Sequence, residues 1–437
     1  MLRRGSPLAG LRPLLAARRR LFANPEEPRV RFSIIRGGDF FREFKKLTDI
    51  QNFKTDFDSF FPKRDLPPEH SDVVIIGGGI IGWSIAYWLK AKETRRNAIQ
   101  VLVIERDNTY SKASTVLSAG GIRQQFSVEE NIWMSSFSAN FLRLINVCYA
   151  LGFWFCGYHF DHLGVVGEPP IDIQFNHSGY LFLASENEAA VLEENVNLQR
   201  KEGVAVSLLS PAQLKKKFPW LNTDGVALAS YGLENEGWFD PWTLLNAFRR
   251  KAISLGTRQY NGEVTSFNST FYETKTQDQR CKATRIKSVN VQLPESFERA
   301  TVDCCMVVNA AGAWSGRVAE MAGIGAPSEN ILSEFKFPVE PKKRIRFNFL
   351  LLQVKSSWAG YYDYNTFDQN PVIGRHPQVS NIYFASGFSG HGLQHAPAVG
   401  QAVAELILDF KYKSINLERF SFDRLIKDEK LLERNIV

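Results

Sequence analysis

The sequence contains few cysteines and no apolar segment long enough to cross a membrane. Five cysteines occur among 437 residues, namely Cys148, Cys156, Cys281, Cys304 and Cys305. They show neither a C-x-x-C pair nor the spacing of a metal site, so the sequence predicts free thiols, a reducing compartment and no bound metal. No apolar run reaches the ~18 residues of a transmembrane helix, and no membrane span is expected.

Acidic residues are absent from the N-terminal segment, where the first one is Glu26. Six arginines precede it and supply most of the formal net charge of +7: Arg3, Arg4, Arg12, Arg18, Arg19 and Arg20. The remainder is nearly neutral, so no nucleic-acid-binding surface is expected. An arginine-rich, acid-free segment over residues 1–23 is typical of a mitochondrial transit peptide, the alternative being a disordered basic tail.

The stretch around which the chain is organised follows residue 72. Residues 73–76 (VVII) form an apolar run typical of a strand buried on both faces of a parallel sheet. Gly77, Gly79 and Gly82 then follow in G-x-G-x-x-G spacing, before apolar residues at helical intervals. In a strand-to-helix turn, the first glycine permits the turn, the second admits a pyrophosphate and the third allows close packing.

A second predicted strand, residues 101–104 (VLVI), ends in Glu105, which is placed to bind a ribose hydroxyl. Strand, glycine loop, helix, strand and terminal acid together predict a dinucleotide site, and the alternative is a purely structural turn. Two later segments have the same character: residues 309–315 (NAAGAWS) follow a predicted strand, and residues 387–393 (GFSGHGL) join a strand to a helix. Two glycine-rich junctions suggest a cofactor held at both ends.

These motifs occur in order with residues 118–123 (SAGGIR), and the chain resembles the FAD-dependent oxidoreductases of the D-amino-acid oxidase type. That family includes sarcosine and dimethylglycine dehydrogenases, and the resemblance covers roughly residues 72–408. It implies an α/β fold in which an FAD-binding Rossmann-type domain is interleaved with an antiparallel-sheet (α+β) substrate domain.

The resemblance also implies the site residues. Arg123 and His391 would be catalytic, with Arg123 anchoring a substrate carboxylate. The FAD-binding residues would be Gly77, Gly79, Ile80, Ile81, Gly82, Glu105, Arg106, Ser118, Ala119, Gly121, Val264, Ala310, Gly312, Trp314, Gly387, Ser389, Gly390, His391, Gly392 and Leu393.

Three departures from the family pattern qualify these expectations. Dehydrogenase relatives link FAD covalently through a histidine near position 118, whereas this chain has Leu117, so non-covalent binding is expected. Gln394 replaces a lysine that helps sarcosine-oxidase-like relatives to bind carboxylate. Residues 342–344 run almost directly to 357–360, although the family places several strands in between. With the aromatic-rich residues 147–166, this join predicts a truncated substrate domain.

The predicted organisation has seven segments. They are a transit peptide (1–23), an N-terminal extension (24–70), a first FAD-binding segment (71–145), a substrate domain (146–260), a second FAD-binding segment (261–330), a substrate-domain remnant (331–365), and a third FAD-binding segment with the C-terminal tail (366–437).

The sequence leads to three functional hypotheses. The favoured one follows the resemblance to a mitochondrial family member linked with assembly of respiratory complex I. It predicts a flavoprotein in the matrix or at the matrix face of the inner membrane, with complex I subunits or assembly intermediates as partners and peripheral membrane association. The alternative is an active dehydrogenase or oxidase of N-methylated amino acids such as sarcosine, with hydride transfer to flavin N5. The third hypothesis is an NAD-linked dehydrogenase. It is the least favoured, because the second glycine-rich turn has no role in a nicotinamide-binding fold.

Overall fold

The computed structural model describes residues 66–145, 163–165, 167–232, 234–275, 280–325, 335–350 and 353–434. The predicted transit peptide, nearly all of the N-terminal extension and most of the aromatic-rich segment at 147–166 therefore lie outside the described residues. Within them, no helix has the length and apolarity that a membrane crossing requires.

The described residues contain fifteen strands. In chain order they are β1 (His70–Ile76), β2 (Val101–Glu105), β3 (Gly121–Ile122), β4 (Leu181–Ala184), β5 (Val206–Leu209), β6 (Leu228–Gly232), β7 (Gly237–Trp238), β8 (Arg258–Asn261), β9 (Glu263–Lys275), β10 (Arg280–Gln292), β11 (Arg299–Asn309), β12 (Val339–Leu350), β13 (Gln353–Asn365), β14 (Val372–Arg375) and β15 (Ile382–Ser386).

Helices lie between many of these strands along the chain. They are α1 (Ile80–Ala91), α2 (Glu129–Arg143), α3 (Ala189–Lys201), α4 (Pro211–Lys217), α5 (Pro241–Ser254), α6 (Ser315–Met321), α7 (Gly392–Asp409) and α8 (Asp423–Ile426), with 3₁₀ turns at Gly312–Trp314 and Glu418–Phe420.

The central sheet is parallel over five strands, in the order β15-β11-β1-β2-β8. Different elements cover the two faces of the sheet. Val73 and Ile75 of β1 pack in one core cluster with residues of α1, α5 and α7, whereas Val74 and Ile76 pack in a second cluster with residues of β10 and α6. Both faces of this parallel strand are therefore buried. β14 extends the sheet antiparallel to β15, and the long β9–β10 hairpin pairs with the first half of β11. The predicted α/β sheet is confirmed.

The predicted antiparallel component is also present. Strands β4, β6 and β5 form a three-stranded antiparallel sheet in the order β4-β6-β5, between the segments that build the parallel sheet. Helix α5 begins at a local capping pattern, because the Asp240 carboxylate accepts the Trp242 and Thr243 amides and Pro241 occupies the first helical position.

The join near Arg344 lies inside an ordered element. Residues 339–350 and 353–365 pair as an antiparallel hairpin, β12–β13, with Arg344 opposite Gly360. The predicted loss of substrate-domain strands at this place stays a prediction, but the residues that flank the join form regular structure.

Candidate functional site

A cleft of about 920 Å³ opens at the carboxyl ends of β1, β2 and β11, where open parallel sheets bind ligands. It brings together predicted site residues from six separate stretches of the chain. Those that line it are Gly77, Gly79, Ile80, Ile81, Glu105, Arg106, Ser118, Val264, Ala310, Gly312, Trp314, Gly390, Gly392 and Leu393.

Other predicted residues lie behind the cleft wall. Gly82 packs against the carbonyl of Gly77, and Gly121 lies in β3, where it pairs with Trp238. Gly387 and Ser389 belong to the turn before α7, and Ala119 precedes β3. Arg123 and His391 do not line the cleft but contact each other in a buried cluster. The roles of all these residues stay predictions.

The three glycines of the G-x-G-x-x-G motif meet different surroundings. A Cβ atom at Gly77, where φ is +104°, would lie 2.4 Å from the Ala310 carbonyl oxygen. A Cβ at Gly82 would lie 2.0 Å from the Gly77 carbonyl oxygen. A Cβ at Gly79 would meet only Thr115 Oγ1, at an ordinary 3.6 Å. The fold therefore requires the outer two glycines, whereas the middle one leaves backbone open to the cleft, as a bound pyrophosphate requires.

The Glu105 carboxylate is held at the end of β2. Its Oε2 accepts the Gly78 amide at 2.8 Å and its Oε1 accepts the Asp107 amide at 2.9 Å. Burial raises the pKa of Glu105 above its ordinary value, although both amide hydrogen bonds lower it. The acid is thus fixed beside the glycine loop, in the place that a ribose-binding carboxylate occupies in a dinucleotide fold.

Two predicted FAD-binding residues contact each other at the cleft. Arg106 Cζ lies 3.8 Å from the centroid of the Trp314 ring, which is within cation–π range. The Trp314 ring in turn lies 5.8 Å from that of Tyr361 on β13. Trp314 therefore joins the 3₁₀ turn after β11 to the β12–β13 hairpin.

The buried cluster behind the cleft is centred on Arg123, which is 7% exposed. Its guanidinium lies 3.1 Å from His391 Nε2, and its Cζ lies 4.7 Å and 4.8 Å from the ring centroids of Phe126 and Phe182. Among the ion pairs of the described residues, none includes Arg123. Burial lowers the pKa of both Arg123 and His391.

A buried carboxylate that the sequence did not reveal lies in the same region. Glu236 is 2% exposed and accepts the Gln124 amide at 2.7 Å and the Gln125 side-chain amide at 2.9 Å. Burial raises the pKa of Glu236 to about 7, despite those hydrogen bonds and the charge of Arg123. No local pattern marks this residue, because its partners are more than a hundred positions away.

Asp363 and Thr115 were missed because their partners also belong to other elements, 24 to 35 positions away. Asp363 is buried at the cleft and its Oδ2 accepts the amides of Gly387 and Phe388. Burial raises the pKa of Asp363 to about 6. Thr115 Oγ1 accepts the Ile80 amide at 3.2 Å, so a hydroxyl occupies the start of α1.

The sequence predicts no metal site, and one group of side chains bears on that prediction. His70 and Asp72, at the end of β1 opposite to the cleft, and Cys305, in the middle of β11, bring potential ligand atoms within 4.8 Å of one another. His70 is exposed and lies 3.2 Å from Asp72, so the proximity of these two side chains is explained by a surface ion pair without a metal.

Comparisons with known proteins agree with the architecture of the cleft. The profile of the family described as "FAD dependent oxidoreductase" matches residues 72–344 and 341–406. The chain is 53% identical to the Xenopus laevis protein named FAD-dependent oxidoreductase domain-containing protein 1, over 91% of each chain. It is 48% identical to the Bos taurus protein of that name, over 85% of this chain and 88% of the relative.

A solved structure shares the fold. L-proline dehydrogenase from P. horikoshii superimposes with a TM-score of 0.63 and 26% identity, covering 84% of this chain and all of that one. The alignment with the Xenopus relative runs over 469 residues, which exceeds the whole length of this chain. That relative therefore has internal residues without a counterpart here.

Proposed function

The chain belongs to the FAD dependent oxidoreductase family, and on that premise we propose that it is a mitochondrial flavoprotein which binds FAD non-covalently and supports assembly of respiratory complex I. The observation that carries the cofactor assignment is the open space at Gly79, the one glycine of the loop that the polypeptide itself does not require. Bound FAD supplies a two-electron acceptor.

The residues of the cleft fit this cofactor. The backbone at Gly77 and Gly79 and the first turn of α1 would face the phosphates, because helix N-termini offer unpaired amides to anions. Glu105 would accept a ribose hydroxyl, and the turn before α7 would face the flavin end. Leu117 in place of a linking histidine supports non-covalent binding.

The proposed cellular role rests on the family resemblance and on the arginine-rich residues 1–23. Complex I subunits or assembly intermediates would be the partners, at the matrix face of the inner membrane. In cells that lack the protein, wild type should restore assembled complex I on native gels, whereas Gly79→Ala, impaired in FAD binding, should restore much less. An unchanged amount of assembled complex I in cells lacking the protein would refute the assembly role. Full rescue by Gly79→Ala would show that the assembly role does not require bound FAD.

The proposed location is tested separately. A reporter that carries the first forty residues should enter mitochondria and be shortened there, because arginine-rich, acid-free segments direct import. A version with the six arginines replaced by glutamine should stay in the cytosol. A cytosolic signal from the unaltered fusion would contradict the proposal.

A second candidate function is favoured by the buried Arg123. This guanidinium is removed from water and makes no direct ion pair among the described residues, although Glu433 and Glu236 lie near enough to favour its charge. A substrate carboxylate would supply a direct partner for it. We infer that the chain can oxidise the C–N bond of a small N-methylated amino acid, held by Arg123 beside His391.

Anaerobic mixing with sarcosine or dimethylglycine should bleach the flavin absorption if this candidate is right. Arg123→Lys should raise the substrate KM about 10- to 100-fold, because a charge-assisted hydrogen bond contributes about 1.5–3 kcal/mol. Arg419→Lys, a replacement of an exposed arginine that pairs with Glu130, is the control. Flavin that neither amino acid reduces would exclude this chemistry.

A further inference from the structure

The turn before α7 is held from behind by one side chain of the β12–β13 hairpin. Asp363 is 8% exposed, and its single oxygen Oδ2 accepts the Gly387 amide at 2.7 Å and the Phe388 amide at 3.0 Å. The Asp363 carbonyl accepts the next amide, that of Ser389, at 2.9 Å. Three consecutive amides of the turn are therefore bonded to one residue.

The backbone of this turn needs an external restraint. Gly387, Ser389 and Gly390 have φ angles of +85°, +51° and +104°, in the region that residues with side chains rarely adopt. Ser389 has a side chain, and its Oγ is used to accept the Asn365 amide at 3.0 Å. Such conformations persist where the surrounding structure fixes them.

The turn fixed in this way lines the cleft. Phe388, Gly390 and Gly392 face it, as does Asp363 itself, and α7 begins at Gly392. The amino end of a helix favours negative charge, and here it lies at the flavin end of the family's cofactor site. A carboxylate beside this helix end disfavours further negative charge at the same place.

We propose that Asp363 is the positioning residue of the flavin site: its hydrogen bonds fix the turn that receives the cofactor, and its negative charge lowers the reduction potential of bound FAD. The proposal deepens the proposed function in one respect only, since it rests on FAD binding and not on complex I assembly or amine oxidation. Burial raises the pKa of Asp363 to about 6, so the carboxylate is mostly ionised at pH 8.

Asparagine separates the two effects in the purified holoprotein. Because one oxygen accepts both amides, the Asp363→Asn side chain can keep both hydrogen bonds with its own oxygen while it removes the charge. FAD affinity should stay within about threefold of the parent. The preference for reduced over oxidised FAD should rise about tenfold at pH 8, which is about 30 mV for a two-electron couple.

Alanine and glutamate test the geometry. Asp363→Ala removes the acceptor, so FAD affinity should fall at least tenfold. Asp363→Glu keeps the charge but displaces the oxygen, so FAD affinity should fall while the potential stays near that of the parent. These variants keep the proposal testable if the asparagine variant does not fold.

Glu405 provides a matched control at the other end of α7. Its single oxygen Oε2 also accepts two backbone amides, those of Lys413 at 2.8 Å and Ser414 at 2.9 Å. Glu405→Gln should lower the melting temperature without changing the potential or FAD affinity. A potential unchanged in Asp363→Asn would refute the charge effect, and unchanged FAD affinity in Asp363→Ala would refute the positioning.

Discussion

A methyl group at Gly79 would contact only Thr115 Oγ1, and the φ of −70° at this position suits any residue. Gly79→Ala should therefore leave the melting temperature of the FAD-free protein unchanged while FAD affinity falls at least tenfold. Gly82→Ala places its Cβ 2.0 Å from a backbone oxygen, and overpacking of that kind costs about 1–3 kcal/mol. Thermal unfolding and FAD fluorescence titration measure both effects. Equal losses of stability in the two variants would contradict this assignment.

Glu236 should make stability depend on pH. Its pKa is raised from 4.5 to about 7 in the folded protein, so the folded state binds the proton more tightly than the unfolded state. The stabilisation that comes from protonation of Glu236 is fully present below pH 4.5 and is lost as the pH rises through about 7.

Glu236→Gln removes that titration, although its altered hydrogen bonds add a cost that does not change with pH. Relative to the parent, the variant should gain about 1–3 kcal/mol between pH 4.5 and 7, as measured by urea unfolding. Glu429→Gln, an exposed carboxylate, is the control. A difference that stays flat over this range would show that Glu236 keeps its ordinary pKa.

Single residues were predictable where their role depends on neighbours in sequence. Gly77, Gly79 and Glu105 belong to a motif of about thirty residues whose geometry follows from the strand–turn–helix order. Asp363 and Glu236 act through amides of other elements, at positions 387 and 124, and no periodicity encodes such pairings. Arg123 was identified, yet its contact with Phe182 depends on how β4 packs against residues 123–126.

Helix α2 is an element completed by a distant segment of the chain. Its N-cap residue, Val128, offers no side-chain oxygen, and the Glu433 carboxylate accepts the Ser127 and Val128 amides at 2.6 Å and 3.2 Å instead. Glu433→Ala should cost about 1–3 kcal/mol, because these two amides and the Asn131 side chain lose a charged acceptor. Chemical unfolding measures it against Glu429→Ala on the same tail. Equal stability of the two variants would mean that the cap is dispensable.

Elements that begin or end at a local sequence signal can be predicted, whereas strands that are defined by pairing with distant residues cannot. The start of α5 is encoded locally, by the capping carboxylate of Asp240 and by Pro241 at the first helical position. The β12–β13 hairpin was interpreted as a remnant, because the sequence around Arg344 shows only a shortened interval. In the structure these residues form a regular antiparallel hairpin, in which Arg344 pairs with Gly360.

The whole molecule should release FAD when it unfolds. With Leu117 in place of a linking histidine, acid precipitation should leave all flavin in the supernatant. Non-covalent binding also links FAD concentration to stability, and a hundredfold excess over Kd should add about 2.7 kcal/mol to the free energy of unfolding. Riboflavin, which lacks the phosphates that the glycine loop would bind, is the control ligand. Yellow precipitate would show a covalent bond.

The shortened join makes a further prediction for the whole molecule. Ile345 on β12 is 61% exposed, and each large side chain left uncovered forfeits roughly 1.5–3 kcal/mol of burial. A version with the family's additional strands restored at the join should therefore melt at a higher temperature and oxidise sarcosine faster. Equal melting temperature and equal turnover would show that these strands are dispensable.

The position of β11 between β1 and β15 governs the order in which the chain can fold. As the polypeptide leaves the ribosome, β1 pairs with β2 early, but the strand that covers its other edge begins only at Arg299. Throughout that interval an apolar edge with unpaired amides is open to pairing with other chains, so folding of the nascent chain should depend on chaperones. The cleft needs residues 310 and 387–393 as well. FAD should therefore bind only near the end of synthesis. A chain whose synthesis stops early would lack both the pairing of β11 with β1 and the FAD-binding cleft.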